Sequence, residues 1–105
     1  METAPPAAGP GTVVLDIGEG TGAAVVTAEP AHEGRELEIR RVGTPWSGRH
    51  VAFHRRRTAD GQVVAAVFAQ LDAGDWEVRV IDAGGPARLL SVRGGAVTTL
   101  DLKAH

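Results

Sequence analysis

The stretch that decides the fold reads VVAAVFAQLDAGDWEVRVI and covers residues 63–81. Its first half is apolar and carries no charge, whereas its second half alternates apolar with charged side chains. Successive side chains of a strand point to opposite faces, so the second half predicts a strand with one solvated face. The first half predicts a strand covered on both faces, either at the centre of a sheet or under a partner subunit. The Gly-containing turn at 73–75 predicts that these strands, 63–71 and 75–81, form a hairpin.

The same strand pattern extends outward from this stretch. Short β-branched runs begin about every ten residues, which is the spacing of a sandwich or barrel. No window repeats apolar residues at helical spacing for three turns without meeting Gly or Pro. The predicted strands are 13–17, 23–27, 36–42, 50–57, 63–71, 75–81, 88–93 and 97–102.

These strands predict one antiparallel β-sandwich. Turn residues also predict hairpins of strand 50–57 with strand 63–71 and of strand 88–93 with strand 97–102. Each strand should send alternate apolar side chains into the core. The predicted core residues are Leu15, Ile17, Val25, Leu37, Ile39, Val51, Phe53, Val64, Ala66, Phe68, Leu71, Trp76, Val78, Val80, Leu90, Val92, Leu100 and Leu102.

Length and composition predict a single small domain. The chain has 105 residues, a formal net charge of -2 and no cysteine. A disulfide framework, a thiolate zinc site, an iron–sulfur cluster and a cysteine nucleophile are therefore excluded. The Pro/Ala/Gly-rich residues 1–12 are predicted to be a flexible tail, and 13–105 the sandwich domain. Neither a secretory signal nor a membrane span is recognisable, so we expect a cytoplasmic protein without a cofactor.

Two predicted hairpins carry a family resemblance. Residues 66–78 (AVFAQLDAGDWEV) resemble the hairpin of prealbumin-like β-sandwiches, which include the carboxypeptidase regulatory-like and Cna-B-like domains. Residues 92–102 are similar to the closing strands of that group. The chain as a whole also resembles small actinobacterial proteins that begin with Val-Leu-Asp-Ile-Gly and have no assigned activity. The resemblance implies a Greek-key sandwich of seven to eight strands. Such domains bind partners or serve as structural or connecting modules, and the fold alone implies no catalytic activity.

The stretch VLDIGEGTG, residues 14–22, is the most distinctive candidate for a cofactor site. It is similar to the first nucleotide-binding motif of S-adenosylmethionine methyltransferases, in which a Gly-rich turn opens a helix. The β-branched run 23–27 follows instead of a helix, and Pro30 ends it. The stretch is also similar to the phosphate hairpin of the sugar kinase and actin group, a fold several times this long. A plain β-turn is the favoured interpretation of Gly18–Gly22.

Histidines are the candidate metal ligands. His50 and His54 lie four residues apart on one predicted strand face. Their Cβ atoms would be roughly 13 Å apart in an unbroken strand, and ligand distances near about 2 Å do not allow one ion to reach both. A shared site would need a bulge or a third ligand such as His32. Exposed or hydrogen-bonded histidines are therefore favoured over metal binding.

Basic residues are concentrated between residues 35 and 57. This segment holds seven of the 11 basic residues and two acids. Such a strip suits a phosphate backbone or an acidic partner. The net charge is nevertheless slightly negative and the chain has no Tyr, so stacking platforms for bases are scarce. Nucleic acid is therefore a disfavoured partner, and solvated strand faces are the simpler explanation; binding of an acidic partner stays open.

Trp46 is the candidate binding residue, because its segment, 43–48, has the Gly and Pro residues of a loop. The indole could stack on a sugar or anchor a protein partner, or it could fold over the open end of the core. We predict a non-enzymatic binding or accessory module for a protein, small ligand or carbohydrate, with no catalytic residue. The alternative is a metal- or nucleotide-binding protein or small enzyme that uses Gly18–Gly22 or His50 and His54. The candidate ligand or partner residues are Trp46, Arg49, His50, His54 and Arg56.

Charge also bears on association. The Arg55-Arg56-Arg57 run should keep two copies from pairing edge to edge if its strand lies at the edge of a sheet. We expect a monomer or a weak homodimer. Any dimer should form face to face, through Trp46 or through an apolar patch, and the change Trp46→Ala should weaken it.

Overall fold

A computed structural model describes residues 20–103 of the protein. The predicted tail, the predicted strand 13–17 and the predicted core residues Leu15 and Ile17 lie outside these residues. The described strands are β1 (Thr21–Ala28), β2 (Glu36–Arg41), β3 (His50–Ala52), β4 (His54–Thr58), β5 (Gly61–Asp72), β6 (Gly74–Val80), β7 (Arg88–Val92) and β8 (Val97–Asp101). One 3-10 turn, Pro30–His32, is the helical structure within residues 20–103.

The strands form two four-stranded sheets, which confirms the predicted all-β class. Sheet 1 has the order β4-β5-β1-β8, and sheet 2 has the order β3-β2-β6-β7. The pairs are antiparallel except for β1 and β8, which run parallel, so sheet 1 is mixed. Buried residues of both sheets form one hydrophobic core. No helix of the described residues is long and apolar enough to cross a membrane.

Most of the predicted core is confirmed. Among the described residues, the predicted side chains that are buried in the core are Leu37, Ile39, Phe53, Val64, Ala66, Phe68, Leu71, Trp76, Val78, Leu90 and Val92. Val51, Val80, Leu100 and Leu102 are partly buried and pack against it.

The prediction that Val25 lies in the core is wrong. In β1 the core residues are Ala24, Val26 and Ala28, so Val25 points to the outer face of sheet 1. The run of two alanines and two valines fits either phase of a strand, and its sequence therefore does not fix the face. Packing selects the small Ala24 for the inner face, where it pairs with the large Phe68 of β5.

Two of the three predicted hairpins are wrong. β4 and β5 pair as predicted. In contrast, β5 and β6 belong to different sheets, and so do β7 and β8. Both sides of β5 are occupied, by β4 and β1, so the turn after Asp72 carries the chain across to sheet 2.

The predicted strand 50–57 is two strands. β3 pairs with β2 in sheet 2, whereas β4 pairs with β5 in sheet 1. Phe53 lies between them, fully buried, and marks the crossing from one sheet to the other. This crossing separates residues that the sequence places on one face.

Candidate functional site

The loop that joins β2 to β3, residues 42–49, places Trp46 over the outer face of sheet 2. The Cζ atoms of Arg40 and Arg79 lie 4.3 and 4.1 Å from the centre of the Trp46 ring. Arg40 belongs to β2 and Arg79 to the neighbouring β6. Trp46 therefore does not fold over the open end of the core: it covers two guanidinium groups in the middle of a sheet face and stays partly exposed.

Glu38 fastens this loop to the sheet. Its carboxylate Oε2 accepts a hydrogen bond of 3.0 Å from the backbone N–H of Gly48. Its Oε1 accepts a hydrogen bond of 2.9 Å from Nε of Arg79 and lies 2.8 Å from Nη2 of the same residue. Glu38 is 6% exposed and is the only charged residue that is buried within residues 20–103. One carboxylate thus orients both the loop and an arginine that the indole covers.

Backbone geometry at Gly48 contributes to this contact. Gly48 has a φ of +85°, a conformation that side-chain-bearing L residues rarely adopt. At the opposite end of the loop, both the N–H and the hydroxyl of Thr44 donate to the carbonyl oxygen of Arg41. The loop is therefore fixed at both ends, and Trp46 is displayed on an ordered segment.

The arginine under the other part of the indole is also paired. Arg40 donates from Nε to Oε1 of Glu77 at 3.0 Å, and its Nη2 lies 2.9 Å from the same oxygen. Arg40 and Glu77 are directly opposite each other on β2 and β6, as are Glu38 and Arg79. The two ion pairs run in opposite directions across the strands, so the charges under Trp46 balance.

Two exposed apolar side chains belong to the same part of sheet 2 as the indole. Leu89 of β7 is 62% exposed and lies opposite Glu77, in the same cross-strand row as Arg40. Val42, the residue after β2, is 50% exposed and begins the loop that carries Trp46. We call this surface, which comprises Trp46, Val42, Leu89, Arg40 and Arg79, the Trp46 face.

The other predicted site residues do not converge on Trp46. Arg49 turns toward the β5–β6 connection, where Nη2 donates to the carbonyl oxygen of Gln70 at 3.0 Å and Cζ lies 5.7 Å from the Trp76 ring. His50, on β3, contacts the carboxylate of Glu36. These two residues have structural partners at the edge of sheet 2.

His54 and Arg56 lie on β4, in the other sheet. Nε of Arg56 donates to the carbonyl oxygen of Ala65 on the neighbouring strand, at 3.4 Å. His50 and His54 therefore belong to different sheets and do not share a strand face. Within residues 20–103, no group of three or more potential ligands could hold a metal ion.

The described part of the Gly-rich stretch is a turn that enters a strand. Gly20 is in the turn, and β1 begins at Thr21 where the methyltransferase motif would begin a helix. At Gly22 a Cβ atom would lie 2.3 Å from the carbonyl oxygen of Arg93 and 2.8 Å from that of Ala96. Gly22 thus permits two backbone segments to approach each other, which is a structural requirement of the fold. Gly18 lies outside the described residues.

A cavity of about 490 Å³ opens at one end of the sandwich. Its apolar lining includes Leu37, Val78 and Leu102, and residues 83–86 of the β6–β7 loop also line it. His32 also lines it, and Nδ1 of His32 is buried without a hydrogen-bond partner among the described residues. The sequence contains no signal for this cavity, because its lining comes from β2, β6, the β6–β7 loop and the residue after β8, which are far apart in the chain.

The fold and the Trp46 face define an all-β sandwich that displays a tryptophan on an ordered loop, above a set of paired charges. No family model, curated protein or solved structure matches the chain.

The importance of Glu38 can be tested by the change Glu38→Ala. We expect it to lower the free energy of unfolding by about 1–3 kcal/mol, since the Gly48 N–H and Arg79 both lose an acceptor. The control Glu36→Ala removes a half-exposed carboxylate and should cost at most about 1 kcal/mol. Urea titration measures both values. ¹⁵N relaxation of the Trp46 indole should show added mobility in the first variant only, and equal mobility in both would contradict the anchoring role of Glu38.

Proposed function

We propose that the chain is a non-enzymatic binding module that docks a protein partner on the Trp46 face. The observation that carries this proposal is the position of Trp46, on an ordered loop over two arginines whose charges are already paired. Tryptophan and arginine are the residues most enriched at the energetic centres of protein interfaces. A partner that covers this face would not leave either guanidinium without a carboxylate.

A protein partner is favoured over a carbohydrate by the surroundings of the indole. Val42, in the same loop as Trp46, and Leu89, on the same outer sheet face, add exposed apolar surface, as at the centre of a protein interface. The arginines under the indole are tied to Glu77 and Glu38, so their hydrogen-bonding groups are less available to sugar hydroxyls. The two arginines also lie on the central strands of sheet 2, β2 and β6, which hold them in fixed positions.

Photo-cross-linking inside cells tests the proposal, because it captures whichever protein lies against a chosen side chain. A benzoylphenylalanine at Leu89, on the same outer face of sheet 2 as Trp46, should cross-link a protein from the cells that make this chain. The same amino acid at Arg57, on β4 of the other sheet, is the control and should not capture that protein.

The captured protein is then purified and its affinity for the chain is measured by calorimetry. We expect Trp46→Ala to weaken binding by about 30-fold or more, the effect of removing a residue that contributes 2 kcal/mol or more. Arg57→Ala should leave the affinity unchanged. Equal affinities for the wild type and the Trp46 variant would overturn the proposal.

Nuclear magnetic resonance titrations separate this proposal from the alternatives. S-adenosylmethionine, adenosine triphosphate, zinc and a set of disaccharides are the probes. Shifts at Gly20–Gly22, or at His50 together with His54, would favour a nucleotide- or metal-binding protein or a small enzyme. Shifts of the Trp46 indole with a disaccharide would favour carbohydrate binding. We expect none of these shifts at millimolar probe concentrations.

We further propose that the sandwich is a Greek key, as the resemblance to prealbumin-like domains implies. The placement of β1, β4 and β5 in one sheet and of β2, β6 and β7 in the other supports the proposal. The same division of strands B, D and E from strands C, F and G is found in immunoglobulin-type sandwiches. An experimental structure that includes residues 13–17 distinguishes the two types by the strand that this segment pairs with. The cytoplasmic location stays a prediction.

A further inference from the structure

The outer faces of the two sheets differ in chemistry. On the central strands of sheet 2, the outward side chains that pair across β2 and β6 are charged: Glu38 with Arg79 and Arg40 with Glu77. On the central strands of sheet 1, β5 and β1, the corresponding outward positions carry no charge. They are Val63, Ala65, Val67 and Ala69 of β5 and Ala23, Val25 and Thr27 of β1, because the residues between them face the core.

The valines of this face form one patch. Val25 and Val67 are directly opposite each other on β1 and β5. Val97 of β8 is 46% exposed and pairs with Ala23 of β1, which extends the patch toward the edge of the sheet. Every described strand belongs to one of the two sheets, so none of those strands forms a third layer over these valines. Ala23 and Ala65 are buried, at 0% and 1% exposure, and Val25 and Val67 are half-buried, so Val97 is the exposed apolar member of this uncharged face.

The margins of the same face carry opposite charges. His54, Ala65, Thr27 and Asp101 form one row across β4, β5, β1 and β8. Arg56, two residues along β4, lies on the same side as His54 and opposite Val63. One edge of the face is therefore basic and the other carries a carboxylate, with the uncharged strands between them.

We propose that this face, the outer face of sheet 1, pairs with the same face of a second copy of the chain. A twofold axis parallel to the strands reverses the strand order and keeps each row at its level. It therefore places β4 of one copy over β8 of the other and sets His54 and Arg56 against Asp101 in two symmetric contacts. An axis perpendicular to the strands would place β4 over β4 and oppose like charges. Charge thus selects one of the two orientations.

The charge of β4 also disfavours the other mode of self-association. Arg55, Arg56 and Arg57 lie together on β4, which is an edge strand of sheet 1. Two copies that joined β4 to β4 in a continuous sheet would bring these arginines together, and such edge charges are a common defence against that pairing. Face-to-face contact avoids this repulsion.

The size of the face predicts a weak dimer. Four strands about 4.8 Å apart and five residues about 3.3 Å apart along each strand cover about 300 Å² per copy. Stable interfaces bury about 800 Å² per partner, and smaller ones are transient. We therefore expect dissociation constants in the high micromolar range.

Analytical ultracentrifugation of the full chain between about 10 µM and 1 mM tests the proposal. We expect reversible dimer formation by the wild type and a dissociation constant at least tenfold higher for Val67→Glu, which places a carboxylate in the middle of the patch. Trp46→Ala, on the outer face of the opposite sheet, separates the two possible contacts: pairing through sheet 1 leaves dimer formation unchanged in this variant, in contrast to the expectation from the sequence that the change weakens any dimer. Circular dichroism verifies that each variant is folded.

A charge-reversal series tests the orientation. His54→Asp should weaken the dimer, because it faces Asp101 of the second copy, and the double variant with Asp101→Arg should restore it. A wild type that stays monomeric at 1 mM overturns the proposal and indicates that another part of the same chain, or a different partner, covers the face. A dimer that is weakened by Trp46→Ala and not by Val67→Glu also overturns it and places the contact on the Trp46 face.

Discussion

Replacing Gly22 with alanine is expected to lower the free energy of unfolding by at least about 3 kcal/mol, the upper range for an overpacked site. The added Cβ would lie 2.3 Å from the carbonyl oxygen of Arg93, 2.8 Å from that of Ala96 and 2.9 Å from Cγ1 of Val92. Two of these three atoms belong to the backbone, so a change of side-chain rotamer cannot relieve the clashes with them. The connection between β7 and β8 would have to move away from β1. Urea denaturation measures the loss.

The backbone hydrogen bonds at this place make such a movement costly. Ala23 donates its N–H to the carbonyl oxygen of Ala96, and Gly95 donates to that of Thr21. Both bonds fasten the β7–β8 connection to the start of β1. The change Gly20→Ala is the matched control, since no atom lies within 4 Å of its added Cβ. We expect its effect to stay within about 1 kcal/mol, and equal losses in the two variants would contradict the steric explanation.

Strand positions could be predicted from the sequence because a strand with one buried face alternates apolar with polar residues. In β6 the alternation of Trp76, Val78 and Val80 with charged residues specifies which side faces the core, and the structure confirms it. Where both faces are apolar, the period disappears. Val25 and Val26 are chemically equivalent in the sequence, and only the pairing of Ala24 with Phe68 assigns Val26 to the core.

Strand partners could not be predicted in the same way. Alternation states which face a residue occupies, and it contains no information about the neighbouring strand. Leu71 and Trp76 both enter the core across a short turn, as they would in a hairpin or in two facing sheets. The choice is made by β1, which pairs with β5 along most of its length and leaves no edge for β6.

The sequence predicts the central residue of the candidate site, Trp46, but not the charged residues that hold it in place. The Gly and Pro residues around Trp46 indicate a loop, and a tryptophan in a loop is conspicuous. In the sequence, by contrast, Glu38 cannot be distinguished from other carboxylates on the solvent-exposed face of a strand. Its partner Arg79 is 41 residues away in the chain, so their contact depends on the pairing of β2 with β6. The same dependence on pairing hides Arg40 and Glu77.

Phe53, between β3 and β4, is the side chain of the crossing between the two sheets whose removal should lower the free energy of unfolding most. It is 0% exposed and packs in the shared core, and the His32 ring meets it edge to face with centroids 5.7 Å apart. Its N–H and carbonyl are bonded to Arg35 and Gly34, so the site cannot readily collapse. We expect Phe53→Ala to lower the free energy of unfolding by about 3–5 kcal/mol, a large share of the roughly 5–15 kcal/mol of a small domain. Calorimetry measures the loss; Phe53→Leu should cost clearly less, and a loss below about 1 kcal/mol for Phe53→Ala would show that the two sheets do not depend on this residue.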